Sequence, residues 1–141
     1  MYSNWKIRDC NYVIIHDGVH PFVEQKIILD IIRQVKTFGA ATCAVKAIDT
    51  IVEQKGGFIG TTLCRDRLWH IQTPQGFKFN LIYQAHQKAK ARGIKNASDD
   101  AQLILKFSNK VKIIEGSYQN LKITTPSNLY LARALLQNRG K

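Results

Sequence analysis

One pattern near the start of this chain constrains its fold most: a short β-branched run, a long helical stripe, then a second apolar run. Residues 12–15 read YVII, as expected of a strand covered on both faces in a parallel sheet. Across 23–38, Ile27, Ile28, Ile31, Ile32 and Val35 recur at helical spacing and form one apolar stripe. Gly39 then stands where a helix C-cap takes a left-handed residue. Residues 40–48 are again small and apolar. Strand, helix, strand is a βαβ unit, whose crossover is normally right-handed and whose strands run parallel.

Downstream, 49–67 changes character. Gly56 and Gly57 separate two runs of mixed polarity, a hairpin signal. No G-x-x-x-x-G-K-[ST] pattern surrounds them and no helix starts directly behind, so a phosphate loop is rejected in favour of a two-stranded arm at about 46–67. Its moderate apolar content suggests that it rests on something, a second subunit being one candidate. Residues 68–77, LWHIQTPQGF, combine the Pro and Gly of a loop with Trp69 and Phe77. A helix is expected over 78–92, ending at Gly93. Ser98 is expected to cap another helix, with Asp99 and Asp100 at its positive end. Strands follow at 110–114 and 120–124. Thr125 and Pro126 open a last helix, with Leu129, Ala132, Leu135 and Leu136 as its buried stripe.

With 141 residues, 45% of them hydrophobic and 22% charged, the chain can build one globular core. No apolar run approaches the roughly 20 residues that span a bilayer. The first twelve residues lack the apolar centre of a secretory signal. A cytoplasmic protein with no membrane partner is expected. Cys10, Cys43 and Cys64 are far apart and odd in number, without C-x-x-C spacing, and read as reduced, buried thiols. The net charge of +11 admits a nucleic-acid surface or a pocket for phosphorylated small molecules. Lys88, Lys90, Arg92 and Lys95 cluster on one expected helix and its exit and read as a solvated face. No nucleic-acid-binding signature accompanies them, so no nucleic-acid partner is expected.

In open α/β sheets ligands bind beyond the carboxyl ends of the strands. Asp17 stands there, after the first strand. A carboxylate at that point can hold Mg²⁺, accept from a substrate hydroxyl, or cap its own turn. His16 and His20 straddle a strand end and a turn, with no third ligand to complete a zinc site. Arg65, Arg67, Thr73 and Lys122 supply the donors that phosphate takes. If Leu121 and Ile123 face inward, Lys122 faces solvent or a cleft.

The blocks IIHDGVHPF, AIDTI, TLCRDRLWHIQTPQGF, SDDAQL and IIEGSYQNLKITTPSNL, in this order, resemble the 2-C-methyl-D-erythritol 4-phosphate cytidylyltransferase family over about residues 12–136. The resemblance implies transfer of CMP from CTP to a polyol phosphate, with release of pyrophosphate. It implies a Rossmann-like nucleotidyltransferase fold, α/β, incomplete here, with a mostly parallel sheet and a protruding β-arm that clasps a second subunit in a homodimer. Asp17 matches the aspartate beside substrate and metal, so Mg²⁺ is the implied cofactor. Arg65, four residues before Trp69, and Lys122 match the pair that positions the acceptor phosphate. Thr50 and Thr73 match threonines lining the same pocket. Arg65 and Thr50, on the arm, are expected to serve the neighbouring subunit.

Two departures stand out. The family block ends in Arg-Pro; here it is His20-Pro21, so His20 takes the place of a permanent cation against the acceptor. The family's Gly-rich triphosphate loop has no counterpart, so residues 1–141 are expected to be the C-terminal part of one nucleotidyltransferase domain, inactive alone. Ribitol 5-phosphate cytidylyltransferase shares the AIDTIV-like stretch and is the alternative acceptor chemistry. A non-catalytic fragment that dimerises through its arm is the alternative class.

Overall fold

A computed structural model describes residues 10–95, 97–107 and 110–139. The reading of the N-terminus as free of a secretory signal falls largely on 1–9, outside the described residues. In chain order the elements are β1 (Tyr12–Ile15), α1 (Gln25–Phe38), β2 (Ala40–Lys46), β3 (Val52–Lys55), β4 (Phe58–Thr62), β5 (Trp69–Lys78), α2 (Phe79–Ala91), α3 (Asp100–Lys106), β6 (Lys112–Glu115) and α4 (Pro126–Arg139). The central sheet has the order β1-β5-β2-β6, and β3-β4 form a separate two-stranded sheet.

The βαβ unit is present, with one strand inserted into it. β5 lies between β1 and β2 and is antiparallel to both, while β2 and β6 pair in parallel. β1, β2 and β6 therefore share a direction, as the crossover requires, but most of the pairings are antiparallel rather than parallel. The small, apolar run read as a strand is β2, where 40–45 are all buried; coverage on both faces is expected for β1. That coverage fails for β1, which among the described residues pairs with β5 alone and leaves Tyr12 and Ile14 about 40% exposed, at 42% and 39%.

Helices cover the sheet on both sides. Ile27, Ile31 and Val35 of the α1 stripe are buried, and Ile31 and Val35 pack with Ala41. The opposite face packs Ala40 and Phe77 against α2 and α3. Adjacent residues point to opposite faces of a strand, so Ala40–Ala41 and Gly76–Phe77 each divide between the two cores. A Cβ on Gly76 would stand 2.5 Å from Ile31 Cγ2 and 2.6 Å from Val35 Cγ2; the stripe of α1 lies directly on the glycine. Gly39 ends α1 at φ 85°, its N–H donating to Val35 O at 2.9 Å.

The loop-like segment is the central strand. Pro74 has no N–H for a ladder, and proline inside a sheet needs an irregularity. The register supplies one: Thr42 faces Gln75 and Ala44 faces Ile71, so Gln72, Thr73 and Pro74 stand opposite Cys43. The Thr73–Pro74 peptide is cis. Bulges of this kind redirect side chains at sites.

Other expectations divide. Gly56 and Gly57, at φ 59° and 88°, make the two-residue turn of the β3–β4 arm. Every residue of both arm strands is exposed, Phe58 at 79% and Ile59 at 72%. The cap of α3 is Asp99, not Ser98: Asp99 Oδ1 accepts from Gln102 N–H, and Gln102 Oε1 reaches back to Ser98 N–H. Residues 120–124 form no ladder. Their alternation survives without one, with Leu121 and Ile123 half-buried and Lys122 exposed. Thr125 caps α4 through Asn128 N–H. Of that helix's expected stripe Ala132 alone is fully buried, while Leu129 and Leu136 are exposed. Among the described residues, no other element packs extensively on α4. The cysteines divide too. Cys43 is buried and its thiol is pushed up to about 12 by burial, an inert packing residue, whereas Cys10 and Cys64 are exposed. Lys88, Lys90, Arg92 and Lys95 are exposed as expected, with Lys88 and Arg92 lying over the Phe107 ring.

Candidate active site

Three segments converge beyond the carboxyl end of β1. The first is the turn 16–20, closed by His20 N–H donating to Asp17 O at 3.0 Å. The second is Thr73, at the irregularity of β5. The third is the extended stretch carrying Lys122, held to the turn by Ile123 N–H donating to Val19 O at 2.8 Å. The chain reaches this point by three routes, along β1, along β5 and through the long loop after β6.

The polar contacts are short and specific. Lys122 Nζ lies 3.0 Å from Asp17 Oδ2, both side chains about half exposed. Asp17 N–H donates to Thr73 Oγ1 at 3.1 Å. Thr73 Oγ1 lies 3.0 Å from both His16 Nδ1 and His20 Nδ1. His20 Nδ1 is 3.7 Å from Asp17 Oδ2. Burial pushes the His20 imidazole below its ordinary value; the Asp17 carboxylate opposes this, and Lys122 and His16 add to it. His20 is thus a buried imidazole that favours its neutral form, at the end of the turn closed on Asp17 O.

A polar brace holds Thr73 from below. Asn120, fully buried, donates its amide to Thr73 O at 2.8 Å. Gln72 Nε2 donates to Ser117 O at 2.9 Å and Asn120 O at 3.2 Å, tying the loop after β6 to β5. Gln75 Oε1 accepts Ala101 N–H at the start of α3. Sequence reasoning misses Gln72, Gln75 and Asn120, and weighs His16 only as a metal ligand that lacks a third partner. The available signal was QTPQ, two glutamines bracketing Thr73-Pro74 inside an otherwise apolar strand.

The structure therefore brings Asp17, His20, Thr73 and Lys122 together. Arg65 and Thr50 stand apart from them. Arg65 lies in the short 3₁₀ turn at the base of the arm, where its guanidinium donates to Ile48 O at 3.2 Å. Among the described residues no hydrogen bond or ion pair joins Arg65 or Thr50 to the cluster.

Chemically, the cluster offers a flexible ammonium, a half-exposed carboxylate and a mouth open to solvent at the end of a parallel-running strand. That set suits a phosphorylated alcohol. The model of the family described as 2-C-methyl-D-erythritol 4-phosphate cytidylyltransferase matches residues 6–138. The chain belongs to this family. Among curated members, the cytidylyltransferase of Clostridium acetobutylicum is 44% identical over 135 residues, covering 95% of this chain and 58% of its own length. That of Clostridium novyi is 43% identical over 133 residues, covering 94% and 57%. The crystal structure of the cytidylyltransferase from Thermus thermophilus superposes with a TM-score of 0.82 at 35% identity, over 90% of this chain and 62% of that one. The chain spans under three-fifths of the length of these two curated relatives. The Rossmann-like nucleotidyltransferase fold follows from the membership and the superposition together. Among the described residues no helix is long and apolar enough to cross a membrane.

Proposed function

We propose that this chain provides the acceptor side of a cytidylyltransferase site, at which CMP passes from CTP to 2-C-methyl-D-erythritol 4-phosphate. A phosphate oxygen of the acceptor attacks the α-phosphorus of CTP. The bond from that phosphorus to the β-phosphate oxygen breaks, and pyrophosphate leaves. Two polyanions must meet in line, so positioning and positive charge are the main help that a protein gives. Lys122 takes the acceptor phosphate; its ammonium has three donors and can keep Asp17 while doing so. Arg65 of a second subunit approaches from the arm, and Thr50 follows it. His20 and Thr73 lie behind the acceptor. The observation that carries the reading is the Asp17–Lys122 pair at 3.0 Å, at a strand end where ligands of such sheets bind.

Mg²⁺ fits this donor set as a shared ion. Among the described residues no group of three acidic, histidine or cysteine side chains gathers to cage a metal. Asp17 alone offers a carboxylate, with Oδ2 on Lys122 and no described residue bonded to Oδ1. Mg²⁺ is commonly held by one or two carboxylates plus substrate phosphates. Bound there, it would neutralise triphosphate charge.

The test uses a chimera in which residues 6–138 replace the matching region of the Clostridium novyi enzyme. Pyrophosphate release is followed with CTP and Mg²⁺, for the chimera and for the chain alone. The chimera is expected to turn over 2-C-methyl-D-erythritol 4-phosphate in preference to ribitol 5-phosphate, and the chain alone to stay at background. Preference for ribitol 5-phosphate would move the reading to that acceptor. A folded but inactive chimera would favour the non-catalytic fragment, for which the exposed Phe58 and Ile59 of the arm speak.

A further inference from the structure

Thr73 Oγ1 has three hydrogen-bond partners, and a hydroxyl has one proton to give and two lone pairs to fill. The bookkeeping around it closes in one way when both imidazoles are neutral. His16 Nε2 lies 3.0 Å from His20 O, a carbonyl that can only accept. His16 therefore carries its proton on Nε2, and its Nδ1 is a lone pair. Thr73 must donate to that lone pair, which uses its only proton. Asp17 N–H fills one acceptor position on Thr73 Oγ1. His20 Nδ1, the remaining neighbour, must then donate into the other. The Asp17 carboxylate 3.7 Å from His20 Nδ1 favours a proton on that same nitrogen.

We infer that Thr73 is a positioning residue, a proton-ordered hub that fixes His16 and His20 in opposite tautomers and clamps the turn presenting Asp17 to Lys122. With its capacity spent, the hydroxyl has no free donor for an incoming phosphate. It acts on the acceptor through the turn. His16, exposed and outside the set matched to the family, becomes part of the same device: it spans the turn from Thr73 to His20 O. His20 offers only its Nε2 lone pair, an acceptor for a hydroxyl, where a guanidinium would offer donors. Calling Thr73 a positioning residue rests on the proposed site; the proton order rests on geometry alone and can be read without nucleotide or acceptor.

The experiment is a long-range ¹H–¹⁵N correlation on the labelled chain, at a pH above the ordinary imidazole value of about 6.5. The chain has four histidines, and H16Q and H20Q assign the two of interest. The expected result is a protonated Nε2 with a lone-pair Nδ1 for His16, and the reverse for His20. Thr73→Val should weaken the His20 Nδ1–H preference, leaving only the Asp17 carboxylate to support it and His16 still protonated on Nε2 against His20 O, and Thr73→Ser should restore it. His20 protonated on Nε2 in the unaltered chain would overturn the inference, as would a folded T73V whose His20 Nδ1–H population is undiminished. The reading of the unaltered chain decides on its own if T73V fails to fold. In the chimera, T73S retaining the acceptor KM and T73V raising it would agree with positioning; a T73S variant as impaired as T73V would contradict it.

Discussion

Lys122→Met in the chimeric enzyme is expected to lower kcat/KM for the acceptor by about 100- to 1,000-fold, the usual effect of removing one preorganised donor from a developing or bound anion. The substitution keeps most of the length and an apolar, unbranched stem, with sulfur in place of one methylene, and removes the ammonium. Stability should barely move. The pair with Asp17 is 53% and 40% exposed on its two sides, and ion pairs this wet contribute at most about 1 kcal/mol. Asp17, left without Lys122, can be hydrated. The variant should therefore unfold at nearly the same denaturant concentration while losing turnover. A loss of stability matching the loss of activity would mean that Lys122 holds the turn rather than the acceptor. Turnover within a few-fold of the parent would remove Lys122 from the site.

Arg65 gives the second large effect, through the two-subunit site proposed above. Arg65→Met and Lys122→Met chimeras are each expected to be inactive in isolation. Mixed and allowed to exchange subunits, they should recover about a quarter of the parent activity: half of the dimers are mixed, and one site of two in each has both groups intact. This follows only if Arg65 serves the neighbour. The structure supports that arrangement in two ways. Arg65 sits at the base of the arm on Ile48 O, and among the described residues no hydrogen bond or ion pair joins it to the Asp17 cluster of its own chain. The arm beyond it carries Phe58 and Ile59 in the open, and such residues on a hairpin are suited to a partner's surface. No recovery on mixing, with exchange demonstrated by mass, would place Arg65 in its own subunit's site or in none.

Much of this architecture can be read from the residues, and the exceptions have identifiable causes. α1 and its Gly39 cap are legible because an isoleucine stripe has one helical interpretation and a glycine at φ 85° has one role. The arm is legible because Gly-Gly between two mixed runs demands a tight turn. β5 is hard to read because Pro74 and Gly76 are loop residues by propensity. They sit inside the central strand because the register opens opposite Cys43, and because α1 lies too close to Gly76 for any side chain. Both causes are tertiary. α4 shows the reverse error: Leu129 and Leu136 promise a buried stripe, yet both are exposed and no described element packs extensively on the helix, since periodicity reports what a helix could bury and not what is there to receive it. At the site, Asp17 can be placed by the rule for strand ends and Lys122 by alternation with Leu121 and Ile123. His16 and the Gln72–Asn120 brace cannot, because their importance lies in hydrogen bonds between segments more than 40 residues apart in sequence.

The central claim is that the acceptor phosphate lies on Lys122 beside Asp17, and a crystal structure of the chimera with 2-C-methyl-D-erythritol 4-phosphate tests it most directly. The account predicts a phosphate oxygen within hydrogen-bonding distance of Lys122 Nζ, with the 16–20 turn still clamped on Thr73. A phosphate bound elsewhere, with Lys122 engaged by Asp17 alone, would contradict it.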